Sequence, residues 1–179
     1  MAPLALLRRK LTLEEPVPMT LPTMNYHLLD TPIGTLRLLS SGTHLTALEF
    51  PNNHSTGDSA KQHMDKVLSR CTQQLTQYFA GARTHFDLPL EATGTAFQQA
   101  VWTALTRIPY GEFRSYADIA AVIGRPKAVR AVGAANARNP IPIIVPCHRV
   151  IGSNGSLTGF AGGLAIKKEL LTLEGALLF

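Results

Sequence analysis

Hydrophobic and polar positions alternate in part of the chain after Met24 and follow a helical period further along. The alternating segments are MNYHLLD, TLRLLSS and HLTALEF, at residues 24–30, 35–41 and 44–50. They are separated by TPIG and SGT, whose Pro and Gly favour turns, so the pattern predicts three strands joined by tight turns. After a polar loop at 51–60, residues 61–81 place apolar side chains at helical spacing before a Gly stop, which predicts a helix. The apolar face of that helix comprises Met64, Val67, Leu68, Cys71, Leu75, Tyr78 and Phe79.

The segment LPLEATGTAF, at residues 88–97, marks a change in charge balance, glycine content and element type. We therefore predict a weakly ordered head at 1–23, an α/β domain at 24–93 and a second domain at 94–179. Thr95 followed by Gln98 has the capping-box pattern and opens a predicted helix in TAFQQAVWTALTRIPYG. The inner face of that helix comprises Phe97, Val101, Trp102 and Leu105.

Two further short helices are predicted in SYADIAAVIG and PKAVRAVGAANAR, at residues 115–124 and 126–138. A glycine-containing turn separates them, which is the arrangement of a helix-turn-helix. The second helix is rich in Ala and Gly and carries Lys127, Arg130 and Arg138. Small side chains allow close approach either to another helix or to a nucleic-acid backbone, and the three cations favour DNA.

Composition is that of a soluble globular protein, with 45% hydrophobic and 16% charged residues. No apolar stretch approaches the roughly 20 residues that span a bilayer, so we expect no membrane association. The apolar run before Arg8 is too short for a secretory signal, and we expect a cytoplasmic location.

Positive charge is concentrated in the C-terminal half. Residues 1–93 carry eight Lys and Arg against eight Asp and Glu, whereas residues 94–179 carry nine against four, which accounts for the whole net charge of +5. A solvated basic face would produce this asymmetry, and so would a surface that binds a polyanion such as nucleic acid.

The chain has two cysteines, Cys71 and Cys147, which are far apart and form no CxxC pair. This spacing excludes zinc-finger and disulfide frameworks and favours a reducing compartment, and we predict neither a metal nor a cofactor. Cys71 lies on the apolar face of its predicted helix, where free cysteine is commonly a small core hydrophobe. Cys147 precedes a histidine within IPIIVPCHRV, where a reactive thiolate and an ordinary buried thiol are both possible.

His148 and Arg149 are the neighbours that could shift Cys147 towards the nucleophilic thiolate. Because adjacent residues on a strand face opposite sides, His148 would act through a water or a local turn. Prolines stiffen the approach to Cys147 and glycines follow it, which suits a residue presented to a ligand at a fixed place. Glu174, near the end of a last predicted helix, could orient an imidazole, although a surface carboxylate is the other interpretation.

RAVGAANARNPIPIIVPCHRVIG, together with SY at 115–116, GFAGG and LEG, resembles the O6-alkylguanine-DNA alkyltransferases, the methylated-DNA–protein-cysteine methyltransferases. The resemblance covers residues 94–175, and residues 24–90 share the layout of the family's first domain. It implies an α/β fold in which a three-stranded antiparallel sheet with a helix, ribonuclease-H-like, precedes a mostly helical, winged-helix-like domain with a helix-turn-helix. Residues 94–179 would then be the DNA-binding and alkyl-acceptor domain.

The resemblance implies that Cys147 displaces an alkyl group from the 6-oxygen of guanine, with the 4-oxygen of thymine as a further candidate. His148, linked to Cys147 through a water and held by Glu174, would be the base. Tyr116 would donate a proton or hydrogen bond to the departing base, and Asn139 would tie the recognition helix to the active-site segment. Because a thioether has no good leaving group, each molecule would react once.

The resemblance also implies that a monomer binds double-stranded DNA carrying alkylated guanine and turns the damaged nucleotide out of the stack. Arg130 would fill the space that the guanine leaves, with the helix-turn-helix in the minor groove. The other residues expected at the DNA are Ser115, Lys127, Ala128, Ala131, Gly133 and Ala134. The Val150 carbonyl, the Phe160 ring and the Ala161 backbone would bind the base. Phe160 stands where some relatives have Tyr, and the cysteine zinc ligands of certain relatives have no counterpart.

Three other functions are compatible with parts of the sequence. A non-catalytic module that only recognises alkylated guanine would lack the reactive cysteine, which is present within PCHRV. A cysteine hydrolase would explain neither Arg130 on an alanine-rich helix nor the uneven charge, and it would turn over small esters or amides. A helix-turn-helix regulator would need a stable dimer, and no dimerisation helix is evident.

Overall fold

An antiparallel meander opens the computed structural model, which describes residues 23–176. Its strands are β1 (Asn25–Thr31), β2 (Gly34–Ser40) and β3 (Leu45–Glu49). The tight turn between β1 and β2 pairs Thr31 with Gly34, whose positive φ of 103° suits glycine. The three strands predicted from the alternation are therefore confirmed.

A fourth strand and a later helix start differ from the sequence-based expectation. Strand β4 (Lys61–Gln62) pairs in parallel with β1, so the sheet order is β3-β2-β1-β4. Helix α1 (Lys66–Phe79) begins five residues later than predicted because Asp65 accepts a hydrogen bond from the Leu68 backbone N–H and caps it. Met64 lies before the helix and is 44% exposed, so it is not part of the apolar face.

The C-terminal domain is mostly helical. Its elements are α2 (Ala96–Leu105), β5 (Arg114–Ser115), α3 (Tyr116–Val122), α4 (Val129–Ala137), β6 (Val150–Ile151) and α5 (Leu164–Leu173). The predicted capping box of Thr95 forms, and Ser115 exchanges the same pair of hydrogen bonds with Asp118. Helices α3 and α4 form the predicted helix-turn-helix, and the Trp102 indole N–H donates to the Ala135 carbonyl at 2.9 Å, which ties α2 to α4.

The segment between α4 and Cys147 is braced by the N-terminal sheet. The Leu48 N–H of β3 donates to the Pro140 carbonyl at 2.9 Å. Three residues further on, Ile143 is fully buried and has φ of 74°, a conformation that β-branched residues rarely adopt. Such strain costs on the order of 1–3 kcal/mol and persists only where the surroundings impose it. A single hydrophobic core, with members from both domains, supplies those surroundings.

The remaining predictions from the sequence concern the N-terminal head and membrane-spanning helices. The head predicted at residues 1–23 lies outside the described residues except for Thr23. Within residues 23–176, no helix has the length and apolar character needed to cross a membrane.

Candidate active site

Cys147 begins a short 3-10 turn, Cys147–Arg149, that connects the braced segment to β6. Its side chain is almost enclosed, with 3% of the residue exposed, and its backbone N–H donates to the Val145 carbonyl at 2.8 Å. The chain around Cys147 is therefore a turn and not an extended strand. Cys147 and His148 therefore do not lie on opposite faces of a strand, as they would in an extended segment.

Two buried asparagines attach helix α4 to this turn. The Asn139 amide N–H donates to the Val145 carbonyl at 2.7 Å, and its carbonyl oxygen accepts from the Ile141 backbone N–H at 3.0 Å. Asn136 donates to the carbonyl of Cys147 itself at 3.3 Å. Sequence reasoning selected Asn139 and missed Asn136, whose position on the buried face of α4, beside Val132 and Ala135, was a usable signal. Any shift of α4 is thereby transmitted to Cys147.

His148, Arg149 and Glu174 form a buried polar cluster behind the cysteine. His148 Nε2 lies 2.7 Å from Glu174 Oε1. Arg149 Nε donates to Glu174 Oε2 at 2.8 Å, and another of its nitrogens donates to Oε1 at 3.0 Å. The hydroxyl of Tyr78, which belongs to α1, also donates to Oε1 at 2.7 Å. Among the described residues, His148 Nδ1 has no hydrogen-bond partner.

The protonation states follow from this geometry. Burial would raise the pKa of Glu174, but the hydrogen bonds and charges of His148 and Arg149 outweigh it and lower that pKa to about 2. Burial lowers the pKa of His148 despite its bond to Glu174. At neutral pH the cluster therefore holds an ionised Glu174, a charged Arg149 and a neutral imidazole. Because Glu174 can only accept, His148 Nε2 carries the hydrogen and Nδ1 has the free lone pair.

Of the two states that the sequence left open for Cys147, thiolate or buried thiol, the surroundings favour the protonated thiol at neutral pH. Burial raises its pKa to about 11, and hydrogen bonding to Asn139, the charge of Lys167 and backbone N–H groups oppose that rise only in part. Arg149, which was expected to favour ionisation, directs its guanidinium to Glu174 and to the Ile108 carbonyl instead. A base must therefore take the proton when the thiol reacts.

Lys167 is a buried cation that sequence reasoning missed. Its ammonium donates to the Val150 carbonyl at 2.5 Å and to the Thr158 carbonyl at 2.8 Å, and the Tyr116 hydroxyl donates to the same Thr158 carbonyl at 3.0 Å. Burial lowers the pKa of Lys167 to about 8, partly offset by the nearby Cys147. The spacing of residues 167, 170, 171 and 174, which form the buried stripe of α5 and its cap, could have identified it. The hydrogen bond from the Lys167 ammonium occupies one acceptor site of the Val150 carbonyl oxygen.

The loop that carries Phe160 and Ala161 is held by the N-terminal domain. The rings of Phe50 and Phe160 lie 5.3 Å apart. The Asn53 amide donates to the Ala161 carbonyl at 2.9 Å, and a Cβ at Gly162 would come within 2.9 Å of the Phe50 ring. The Ala161 carbonyl is therefore engaged with Asn53. Nothing in the sequence indicated that Phe50 and Asn53 would contact this loop.

Helix α4 presents a small and positively charged outer face. Arg130 is exposed and makes no hydrogen bond or ion pair with any residue between 23 and 176. The exposed positions beside it are Lys127, Ala131 and Ala134, with Ala128 and Gly133 half-buried. A Cβ at Gly133 would lie 3.9 Å from the Tyr116 ring, so α4 and α3 are in contact there. Ser115 is engaged in the cap of α3, where its hydroxyl donates to Asp118 at 2.7 Å.

Two family models match the chain. Residues 24–92 match the ribonuclease-like domain of 6-O-methylguanine DNA methyltransferase, and residues 96–176 match the DNA binding domain of the same family. The chain belongs to this family. Among curated members of the 6-O-methylguanine DNA methyltransferase family, a constitutive methylated-DNA–protein-cysteine methyltransferase of Bacillus subtilis is 51% identical, over 84% of this chain and 96% of that protein. A methylated-DNA–protein-cysteine methyltransferase of Mycobacterium tuberculosis is 50% identical, over 84% of this chain and 92% of that protein.

Solved structures of the methyltransferase family have the same fold. The structure of Mycobacterium tuberculosis OGT in complex with DNA is 50% identical with a TM-score of 0.80, and the alignment covers 85% of this chain and 93% of that one. The α/β fold class expected from the sequence is therefore confirmed. Among residues 23–176 of this family member, no group of three or more His, Cys, Asp and Glu is arranged to hold a metal ion.

Proposed function

We propose that the protein repairs duplex DNA by transferring methyl and larger alkyl groups from the 6-oxygen of guanine to Sγ of Cys147, once per molecule. The observation that carries this proposal is the enclosed thiol beside a neutral His148, whose Nε2 is held by an ionised Glu174. Membership of the methyltransferase family supports DNA alkyl transfer as the reaction class. An alkyl group on the 4-oxygen of thymine is a second candidate for transfer, and a monomer is the expected active form.

The transfer is an in-line displacement at an sp³ carbon. The proton of Cys147 passes through a water to Nδ1 of His148, the lone pair of sulfur forms the S–C bond, and the C–O bond breaks with its electron pair moving onto the guanine. The Tyr116 hydroxyl, which donates to the Thr158 carbonyl in this structure, would turn to supply a hydrogen bond or proton to the departing base. The products are unmodified guanine and a thioether, which water does not cleave, so the protein is consumed in the reaction.

Nδ1 of His148 is suited to accept this proton because the other ring nitrogen is committed to Glu174. The imidazolium formed in the reaction lies next to an ionised carboxylate, which stabilises it. A general base in this position contributes roughly 10²–10⁴-fold to a rate. Lys167, whose charge faces Cys147, also favours the sulfur anion as it develops.

The target carbon is not accessible inside a duplex, so the nucleotide must be rotated out of the stack at a cost of a few kcal/mol. The exposed Arg130 side chain, which has no partner among residues 23–176, is suited to fill the space left in the duplex. Ala131 and Ala134 beside it let α4 approach the backbone closely, with Lys127 near the phosphates. Asn136 and Asn139 connect this helix to the turn of Cys147, so docking of α4 positions the thiol.

The rotated base would be bound between the β6 turn and the loop of Phe160. The free acceptor site of the Val150 carbonyl takes the exocyclic amine, and the Ala161 N–H and the Phe160 ring close over the base. Phe160 offers an aromatic surface without a phenolic hydroxyl, so its ring would hold the base by packing and not by a hydrogen bond.

The decisive experiment uses duplex DNA with radiolabelled O6-methylguanine. We expect one label per protein molecule, located in the Cys147 peptide by digestion and mass spectrometry, and unmodified guanine in the DNA. Cys147→Ala should bind the duplex and take no label. More than one methyl group processed per molecule, or a label on Cys71, would contradict the proposal.

A further inference from the structure

Tyr78 is a residue of the N-terminal domain that reaches the polar cluster of the C-terminal domain. It lies in the last turn of α1, is fully buried, and donates its hydroxyl hydrogen to Glu174 Oε1 at 2.7 Å. The two residues are 96 positions apart in the sequence. Packing alone would place an aromatic ring here, but a buried hydroxyl without a partner would be unfavourable, so the hydrogen bond is specific to tyrosine.

The oxygen that Tyr78 binds is the one that binds His148. Oε1 of Glu174 accepts hydrogen bonds from Tyr78, from His148 Nε2 and from Arg149. Burial and the adjacent carboxylate raise the pKa of Tyr78, so its hydroxyl stays protonated and remains a donor at neutral pH. Donors that share one oxygen each withdraw electron density from it, and therefore each weakens the others' bonds.

We propose that Tyr78 is a positioning residue of the alkyl-transfer site, which fixes the Glu174 carboxylate for His148 and limits how strongly that carboxylate holds a proton on the imidazole. The consequence for transfer rests on the proposed function. Without the hydroxyl, Oε1 would bind the His148 N–H more strongly and the imidazolium form would be favoured. The pKa of His148 would then rise, and less of the neutral base would be available in mildly acid solution.

Other groups that act on His148 stay in place when only this hydroxyl is removed. Glu174 and Lys167 face it from α5, and Cys147 and Arg149 flank it in its own turn. The ring of Tyr78 would keep its contacts with Phe79, Phe86 and Tyr110 in a phenylalanine variant. Tyr78→Phe therefore isolates the hydroxyl.

The first test compares Tyr78→Phe with Tyr110→Phe, whose hydroxyl donates to the Leu173 carbonyl at 3.1 Å and not to Glu174. Nitrogen-15 NMR of labelled histidine gives the pKa of His148, with His148→Gln to assign the resonance. We expect a rise of about half a pKa unit or more in Tyr78→Phe and no change in Tyr110→Phe. No rise in Tyr78→Phe, or an equal rise in both variants, would overturn the proposal.

A second substitution keeps the tyrosine framework if phenylalanine disturbs folding. Site-specific incorporation of trifluorotyrosine at position 78 makes the hydroxyl a stronger donor, and we expect the pKa of His148 to fall. A rise or no change would count against the proposed role.

The activity readout is transfer from the free alkylated base, which needs no DNA binding. In Tyr78→Phe the acid limb of the rate against pH should move to higher pH by the shift seen in NMR, while Tyr110→Phe keeps the wild-type profile. An unmoved limb beside a shifted His148 pKa would refute the role of Tyr78 in transfer. If the wild-type protein transfers no label at any pH, the proposed function fails, and the NMR comparison still decides whether Tyr78 controls His148.

Discussion

Cys71 and Cys147 are both buried thiols, and their comparison shows that burial alone does not determine whether a thiol is reactive. Cys71 is 0% exposed and Cys147 is 3% exposed, so accessibility does not distinguish them. Burial alone raises the pKa of Cys71, to about 12. The same cause raises the pKa of Cys147 to about 11, but an asparagine, a lysine and two backbone N–H groups act against it. The difference lies in the polar groups that surround each sulfur.

The backbone around the two residues also differs. Cys71 occupies the middle of α1, where its position follows from ordinary helix geometry and packing on the sheet. Cys147 follows the strained Ile143 and lies in a turn that Asn136 and Asn139 attach to an exposed helix. One thiol fills space in a core, whereas the other is connected to a base and to a surface that can meet DNA.

The largest expected effect is on transfer itself. Cys147→Ala should abolish labelling from methylated duplex DNA, because the attacking sulfur is gone, and Cys71→Ala should label at the wild-type rate within about twofold. Quench-flow labelling with gel analysis measures both rates. If Cys71→Ala also lost activity while folded, the assignment of the two thiols would have to be abandoned.

Iodoacetamide tests the two thiols without DNA. Cys147 should react about tenfold faster than Cys71 in the folded protein, since the polar groups around its sulfur favour the thiolate and burial alone acts on Cys71. Because the pKa of each thiol is raised, both rates should increase between pH 7 and pH 9. Peptide mapping by mass spectrometry separates the sites, and a rate at Cys147 that is flat over this range would show a resting thiolate.

Removing the charge of Glu174 should lower the reactivity of Cys147 towards that of Cys71. Glu174→Gln leaves His148 without an ionised partner, and we expect transfer from the free base to slow by roughly 100-fold. Glu169→Gln, an exposed change on the same helix, is the matched control and should keep the wild-type rate. A slowdown of the same size in the control would point to a general effect on α5.

Arg130→Ala tests the link between Cys147 and the exposed helix. Transfer from duplex DNA should slow by about tenfold or more, because nothing fills the space of the rotated guanine, whereas transfer from the free base should be unchanged. Single-turnover rates on both substrates measure this difference. Equal losses on the two substrates would remove the assigned role.

The smallest effect concerns stability. Cys71→Ala creates a small cavity between α1 and the sheet and should lower the free energy of unfolding by about 1 kcal/mol. Urea unfolding followed by circular dichroism measures it, with the exposed change Ser69→Ala in α1 as the control. No loss would mean that Cys71 does not fill space in the core.

Local patterns in the sequence predicted most of the secondary structure. The alternation at residues 24–50, the capping boxes of Thr95 and Ser115 and the turn between α3 and α4 are set by neighbouring residues, so they can be read from a short window. Strand β4 could not be predicted from a short window, because its two residues are extended only where β1 offers backbone partners. Helix α1 starts at Lys66 because Asp65 caps it, a local signal that the spacing of apolar residues did not show.

The candidate site was predictable where its residues share a local motif. Cys147 and His148 are adjacent, and Glu174 ends a helix with a clear buried stripe. Tyr78, in contrast, has the spacing of any core residue of α1, and only the folded chain shows that its hydroxyl meets Glu174. Lys167 was missed because a lysine in a helix is usually solvated, although its position on the buried stripe of α5 was a usable signal.

The left-handed conformation of Ile143 has a consequence for engineering. Stabilising substitutions often reduce activity because catalysis needs a loosely held or strained site. Here the strained turn is held from outside, by the Leu48–Pro140 bond and the common core, so a firmer β3 would preserve the strain and not relieve it. Thermostable versions of this protein are therefore best sought by reinforcing the sheet, where heat resistance should rise without loss of repair capacity.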